Sequence, residues 1–203
     1  MINSTVTSCS VHSGAPATSK FKAYGGGIYA NGNVTLTNST VSGNSATSTN
    51  YSVKGGGVFA TGNVLATHSV ISGNYGKGGG NESLGGGINT KTGSITLSYS
   101  TVSGNTLKST AADHGAYGGG TFSALGSLTV SYSTISGNSV SSDTGFAAGG
   151  AIFAQRNVTL RRATISGNYS SAALGGIAAL NSGANNTNTF YMQLRSCRHS
   201  DRR

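Results

Sequence analysis

Acidic residues, proline, cysteine and tryptophan are scarce in this sequence. Its 203 residues include four Asp and Glu, one Pro, two Cys and no Trp. Enzymes that cleave polysaccharides use paired carboxylates, and calcium sites need several carboxylate oxygens. Four acids in the whole chain leave little material for either. We therefore predict that the chain is not an enzyme and has no catalytic residues, metal ligands or cofactor.

The chain also lacks long apolar runs. No stretch approaches the roughly 20 apolar residues of a membrane-spanning helix. The start, MINSTVTSCSVH, has neither the basic region nor the apolar core of a secretory signal. We expect no membrane insertion by this segment. The two cysteines, Cys9 and Cys197, are too few for a disulfide framework and have no metal-binding spacing.

The basic net charge reflects the shortage of acids. Its value is +9, from 13 basic residues against four acids. Four of the arginines lie in the C-terminal tail, whereas the six lysines are scattered among turns and insertions. A nucleic-acid-binding protein usually concentrates its basic residues on one face. Because the basic residues are scattered, the positive net charge is better explained by the shortage of acids than by a basic binding patch. We therefore expect no nucleic-acid partner.

What the sequence does contain is a repeat. Gly25 to Asn44 reads GGGIYANGNVTLTNSTVSGN, and the same pattern returns four more times. Its Ser-Gly-Asn triplets start at Ser42, Ser72, Ser103, Ser136 and Ser166. The spacing is therefore 30 to 33 residues, a period typical of stacked structural units with insertions on one side.

Each repeat contains three short stretches with strand-like alternation, which are Gly27 to Ala30, Val34 to Leu36 and Thr40 to Ser42 in the first copy. Val34, Leu36 and Val41 point to one side by the period-two rule. The counterparts of Val41 are Ile71, Val102, Ile135 and Ile165. Coils stacked about 4.8 Å apart would bury these residues as columns. The pattern predicts an all-β, right-handed, single-stranded parallel β-helix of pectate-lyase-like type, with about 30 residues per coil and about six coils.

The last residue of each triplet is predicted to be structural. Asn tolerates the left-handed conformation, and stacked Asn side chains can bond to one another along the axis. We expect an Asn ladder at one corner, made by Asn44, Asn74, Asn105, Asn138 and Asn168. The segments after the triplets are read as insertions, which are Ser45 to Lys54, Tyr75 to Leu84, Thr106 to Tyr117, Ser139 to Ala148 and Tyr169 to Leu174.

The repeat also predicts the domain organisation. Asn3 to Ser10 aligns with Asn38 to Ser45, so residues 1–177 form a β-helix that begins in the middle of a coil, as expected of a fragment of a longer solenoid. Residues 178–203 are predicted to be a degenerate last coil and an irregular basic tail, because glycine and alternation disappear there.

Two sets of outward positions are candidate binding surfaces. Alternation with Ile28 and Ala30 favours an outward ring at Tyr29, which predicts a ligand-facing aromatic stripe for sugars or a partner protein. The alternative is that bulges at the glycines reverse the alternation, in which case the rings belong to the core. Its members are Tyr29, Phe59, Phe122 and Phe153, interrupted by Asn89. Two threonine ladders consist of Thr35, Thr96, Thr129 and Thr159, and of Thr40, Thr101, Thr134 and Thr164. Leu65 and Val70 interrupt them, which favours plain β-propensity over a water-ordering surface.

The paired motifs resemble the right-handed β-helix repeats of polymorphic outer membrane proteins and related autotransporter-like bacterial surface proteins. Those repeats carry GGAI-like and FxxN-like tetrapeptides. Gly149 to Ile152 reads GGAI, and Val41 to Asn44 reads VSGN, with valine in place of phenylalanine. The resemblance spans about Asn3 to Ile177. It implies an extracellular or outer-membrane location in the parent protein and an adhesive or structural role.

Three functions therefore stand as hypotheses. The first is a non-enzymatic cell-surface or secreted module, a spacer or adhesion passenger whose partners are host or cell-surface proteins or polysaccharide. The second is a degenerate polysaccharide-binding or polysaccharide-cleaving β-helix, which requires Glu82, Asp113 and Asp143 to converge. The third is an ice- or surface-binding solenoid that uses the threonine ladders.

Overall fold

The protein is an all-β solenoid of about five turns with about 31 residues per coil. The computed structural model describes residues 1–14, 21–172, 175–180 and 189–192, the last four as a strand only. Among these residues no helix is long and apolar enough to cross a membrane. Strands pair in parallel with their equivalents one coil away, as the repeat predicts.

Each coil contains five strands, and equivalent strands stack into five walls. Wall 1 contains Val34–Thr37, Val64–Thr67, Ile95–Ser98, Leu128–Ser131, the first part of Val158–Ser166, and Thr189–Met192. Wall 2 contains Thr5–Thr7, Thr40–Ser42, Val70–Ser72, Thr101–Ser103, Thr134–Ser136 and the second part of Val158–Ser166.

The other three walls complete the coil. Wall 3 contains Ser10–Ser13, Ser45–Ser48, Tyr75–Gly78, Thr106–Ser109, Ser139–Ser142 and Tyr169–Ser170. Wall 4 contains Ala23–Tyr24, Val53–Lys54, Ser83–Leu84, Ala116–Tyr117 and Ala147–Ala148. Wall 5 contains Ile28–Ala30, Val58–Ala60, Ile88–Thr90, Thr121–Ser123, Ile152–Ala154 and Ile177–Ala179.

The prediction of three strands per coil is wrong. The segments read as insertions form walls 3 and 4, and their strands keep strict register from coil to coil. The second residue of each wall 3 strand points inward, and in four successive coils it is Ala46, Gly76, Leu107 and Val140. Alanine and glycine at two of the four positions hide the alternation, because neither residue gives a strong apolar signal.

The predicted apolar columns are confirmed. Val41, Ile71, Val102 and Ile135 are fully buried, and Ile165 is 7% exposed. They lie in register, with Ile71 paired to Val41 on one side and to Val102 on the other. Wall 1 and wall 5 add their own inward side chains to the same core. Walls 3 and 4 enclose a separate, smaller core around Leu107 and Val140.

The glycine triplet and the Ser-Gly-Asn triplet of each repeat contact each other across the coil, between the main core and the smaller core. The glycine triplet joins wall 4 to wall 5, and it runs against the Asn corner between walls 2 and 3. A Cβ built on Gly57 would lie 2.8 Å from the amide carbon of Asn74, and one on Gly56 would lie 2.7 Å from the carbonyl carbon of Tyr75. Such contacts are too short for real Cβ atoms, so this narrow waist requires glycine at Gly56 and Gly57. In the last copy of the triplet, the third position is taken by the buried Ala151.

The left-handed residue at the Asn corner is glycine, not asparagine as predicted. Gly43 has a φ of 61°, and Gly73, Gly104, Gly137 and Gly167 have values within about a degree of it. At the corner between walls 1 and 2 the left-handed residues carry side chains: Asn38, His68, Tyr99, Tyr132 and Arg162.

Pairing continues at both ends of the predicted domain. Thr5–Thr7 pairs with Thr40–Ser42, in the alignment that the sequence indicates. Beyond residue 177, Ile177–Ala179 still pairs with wall 5, and Thr189–Met192 pairs with wall 1. These two strands belong to a further coil, in the region where the sequence predicts a degenerate last coil. The last eleven residues of the chain, with Cys197, lie outside the described residues.

Candidate functional site

The five triplet asparagines form a continuous hydrogen-bonded ladder inside the waist. The Nδ2 of Asn105 donates to the Oδ1 of Asn138 at 2.9 Å and to the carbonyl of Ile71 at 3.0 Å. Its Oδ1 accepts from the backbone N–H and the Nδ2 of Asn74, at 3.0 and 2.8 Å. The same pattern runs from Asn44 to Asn168. At the first coil the backbone N–H of Cys9 donates to Asn44, and its thiol is free and exposed.

A second ladder, made of serines, lies at the corner between walls 1 and 2. The backbone N–H groups of Ser4, Ser39, Ser69 and Ser100 each donate to the hydroxyl of the equivalent serine one coil on, as Ser69 does to Ser100 at 3.1 Å, and the ladder ends at Ser133. Each hydroxyl donates to the carbonyl two residues earlier, as that of Ser100 does to Ser98 at 2.8 Å. Sequence reasoning missed this ladder, because serine is abundant everywhere in the chain.

The predicted ligand-facing aromatic stripe is buried at three of its four positions. Phe59 and Phe122 are 3% exposed and Phe153 is 4% exposed, whereas Tyr29 is 57% exposed. The rings do point away from the main core. However, walls 4 and 5 meet in a groove, and the outward residues of wall 4 cover them. The rings of Tyr24 and Phe59 stack at 4.7 Å, and those of Tyr117 and Phe153 contact at 4.9 Å.

One coil interrupts this apolar filling with polar groups. Asn89 takes the place of a phenylalanine, is 1% exposed, and has an Nδ2 with no hydrogen-bond partner among the described residues. Lys54 is the register neighbour of Tyr24, and Asn89 is the register neighbour of Phe59, so these two polar residues occupy, one coil on, the positions of the stacked Tyr24 and Phe59 rings. The groove is therefore aromatic on both sides of a short polar gap.

A small cavity of about 90 Å³ opens where Lys54 reaches the surface, and its lining includes Lys22, Tyr51 and Glu82. Burial lowers the pKa of the Lys54 ammonium, and the charges of Lys22 and Lys91 lower it further, while Glu82 and Tyr51 oppose them. Burial also raises the pKa of the Tyr117 hydroxyl, and Glu82 adds to that effect. The Lys22 ammonium lies 5.5 Å from the ring centre of Tyr51.

A larger cavity of about 310 Å³ lies against wall 3 and the turn that follows it. Basic side chains and hydroxyls line it, from His12, Thr47, Ser48, Thr49, Lys77 and Thr110. The Nδ1 of His12 and the hydroxyl of Thr47 are 2.7 Å apart, so they share a hydrogen bond. Its volume is within the range of small-ligand sites.

The outer face of wall 2 carries two parallel rows of hydroxyl groups. One row consists of Thr5, Thr40, Val70, Thr101, Thr134 and Thr164, and the other of Thr7, Ser42, Ser72, Ser103, Ser136 and Ser166. Only Val70 interrupts them. On wall 1 a similar row contains Thr35, Leu65, Thr96, Thr129 and Thr159.

Beside the wall 2 rows runs a ridge of stacked side chains that the sequence did not predict. It is formed by the left-handed corner residues. His68 stacks on Tyr99 at 5.0 Å, and Tyr99 on Tyr132 at 4.9 Å, between ring centres. Arg162 lies 5.3 Å from the Tyr132 ring and donates to its hydroxyl at 3.1 Å. The signal in the sequence was the recurrence of planar side chains just before the corner serine.

The three acids of the polysaccharide-cleaving hypothesis occupy different surroundings. Asp143 pairs with Lys108 at 2.9 Å, and Glu82 lines the small cavity near Lys54. Asp113 is an exposed turn residue with a φ of 61°. No group of three or more His, Cys, Asp or Glu in the described part of the chain could hold a metal ion. A scan against protein-family models, a search of curated proteins and a search of solved structures each found no match.

Proposed function

We propose that the chain is a non-enzymatic module of a secreted or cell-surface protein, a rigid spacer that presents its walls to a binding partner. The observation that supports this most is the unbroken Asn ladder. It stacks five coils in register and fixes the outer side chains of each coil over those of the next. A stacked solenoid of this kind offers extended surfaces for binding.

The resemblance of the GGAI and VSGN motifs to surface-protein repeats supports the same proposal. The partner would be a protein or polysaccharide of a cell surface. Beads coated with the purified chain should adhere to cells more strongly than beads coated with a heat-unfolded sample. Equal adhesion by the two samples would contradict the proposal, because unfolded chain presents no walls.

The non-enzymatic part of the proposal has its own test. The chain should release no new reducing ends from a panel of neutral and acidic polysaccharides. Release that Glu82→Gln abolishes would establish cleavage, and would overturn this part of the proposal. Asp143→Asn provides a matched control, because Asp143 lies in the equivalent turn two coils away and is held in an ion pair by Lys108.

The hydroxyl rows of wall 2 favour a second candidate function, the ordering of water at an ice surface or another crystalline surface. Equivalent residues recur about every 4.8 Å along the axis and about 6.6 Å along each strand. Thermal hysteresis of the purified chain is the test. Thr101→Tyr on wall 2 should abolish it, and Thr96→Tyr on wall 1 should not. If the unsubstituted chain shows no hysteresis, this candidate is excluded.

A further inference from the structure

Four of the five described lysines gather along one edge of the solenoid, although the sequence scatters them; Lys91, in the turn after wall 5, is the exception. Walls 3 and 4 are consecutive along the chain, and together they form this edge. Lys77 and Lys108 are register neighbours on wall 3, and Lys54 is on wall 4, immediately beyond the turn. Lys22 precedes the first strand of wall 4 and lines the same cavity as Lys54. Because the supposed insertions fold into walls, lysines far apart in sequence become neighbours.

The two cavities lie on either side of the turn between these walls, and each contains a cation that is free to bind. The one ion pair within the described residues joins Lys108 to Asp143. Lys77, one coil away, is exposed and lines the larger cavity together with hydroxyl groups. In the smaller cavity a single carboxylate, that of Glu82, faces Lys22 and Lys54.

We propose that the edge formed by walls 3 and 4 binds an acidic polysaccharide, with the two cavities as subsites for successive sugar units. The ammonium groups of Lys54 and Lys77 pair with the sugar carboxylates. The hydroxyl oxygens of Thr47, Thr49 and Thr110 accept from sugar hydroxyls, and so does the carboxylate of Glu82. This inference rests on the proposed function as a surface-binding module and names its ligand class.

The residues of this edge fit a carboxylated sugar better than a nucleic acid. Phosphate recognition favours the bidentate guanidinium of arginine, and single-stranded nucleic acids also use aromatic stacking platforms. The cations named at this edge are lysines and a histidine, and hydroxyls separate them in the larger cavity. The aromatic ring in the lining of the smaller cavity, that of Tyr51, is already in contact with the Lys22 ammonium. Spaced point charges separated by hydroxyls match a chain of uronic acids.

The test compares binding of the full chain to polygalacturonate and to its fully methyl-esterified form, by calorimetry at low salt. We expect binding to the acid form only, weakened by added salt. Lys54→Gln and Lys77→Gln should each weaken it roughly tenfold, the loss of one charge-assisted hydrogen bond. The matched control is Arg161→Gln, which removes one charge from an exposed position on wall 1 and should leave affinity unchanged. Circular dichroism checks that each variant is folded.

Three results would overturn the inference. They are equal binding of the ester form, an equal loss in the Arg161 variant, and tighter binding of duplex DNA that the same lysine substitutions weaken. The proposed function fails separately. If bead adhesion survives both lysine substitutions, the chain is adhesive but this edge is not the binding site, and the inference fails. If the chain binds polygalacturonate but the beads do not adhere to cells, the inference stands and the proposed adhesive function fails.

Discussion

Replacing Asn105 by alanine tests whether the ladder holds the coils together. The side chain is fully buried and takes part in four hydrogen bonds, two donated and two accepted. After the substitution the backbone N–H of Asn74 loses the acceptor described above, while the Nδ2 of Asn74 keeps its bond to the Val41 carbonyl at 3.0 Å. The substitution therefore leaves one buried backbone N–H without an acceptor and removes three further hydrogen bonds, whose partners keep or can regain other contacts.

The expected cost follows from these contacts. A buried donor left without an acceptor costs about 1–3 kcal/mol, and an ordinary hydrogen bond contributes about 1 kcal/mol net. We expect the free energy of unfolding to fall by about 4 kcal/mol in total. For a chain of this size that corresponds to a drop in Tm of roughly 10 °C.

Urea unfolding followed by circular dichroism measures the change, and the matched control is Asn63→Ala. Asn63 is exposed, and its side-chain oxygen accepts one backbone N–H, that of Ser94, at 2.8 Å. Water replaces that bond, so the control should lose less than about 1 kcal/mol. If both variants lose the same amount with unchanged m-values, the ladder does not stabilise the waist and the reasoning is wrong.

Three further predictions concern the core, the waist and the charge of Lys54. Ile71→Ala should lower the free energy of unfolding by about 2–5 kcal/mol, because Ile71 is fully buried. Val70→Ala, at the exposed neighbouring position, should lower it by less than about 0.5 kcal/mol. Similar urea midpoints for the two variants would contradict the assignment of Ile71 to the buried column. Gly86→Ala should abolish soluble folding, since the added Cβ would overlap the Gly119 carbonyl oxygen. Gly73→Ala should lower the free energy of unfolding by only about 1–2 kcal/mol, because its Cβ would have open space and only the φ of 60° is unfavourable. The yield of soluble protein and the Tm of the two variants test this difference. Lys54→Met should raise Tm at neutral pH, because burial and the charges of Lys22 and Lys91 lower the pKa of the Lys54 ammonium in the folded chain, so that the unfolded chain binds this proton more tightly. The stability of the unsubstituted chain therefore rises with pH, and the gain in Tm from the substitution should vanish near the ordinary lysine pKa of 10.5. A gain in Tm that does not depend on pH would refute this account.

The columns of walls 1 and 2 were predictable because their sequence alternates with large apolar residues. Val41 and Ile71 each lie between two outward polar or β-branched neighbours, so the period-two rule assigns their side without ambiguity. Walls 3 and 4 carry a weaker signal. At Ala46 and Gly76 the inward side chain is too small to distinguish a buried position from a loop.

The aromatic stripe shows a different limit. The period-two rule correctly predicts that the Phe59 ring points away from the main core, but the rule applies to one strand and does not include neighbouring walls. Whether an outward ring meets solvent depends on the angle to the next wall, and here Tyr24 covers it. The ridge of Tyr99 and Tyr132 depends likewise on a left-handed corner repeated in register, which no single coil reveals. The clustering of Lys54 with Lys22 required wall 4 to be recognised first.

The Asn ladder also makes the solenoid electrically polar along its axis. In a parallel sheet, successive backbone amides point alternately up and down, so their dipoles largely cancel. The ladder amides do not alternate, since every Nδ2 from Asn44 to Asn138 donates toward the following coil. The Nδ2 of Asn168 keeps the bond that each ladder amide makes to the preceding coil, here to the Ile135 carbonyl, and directs its other bond to Ser166. Coils joined at this waist must therefore meet head to tail, because like ends would bring two donors or two acceptors together.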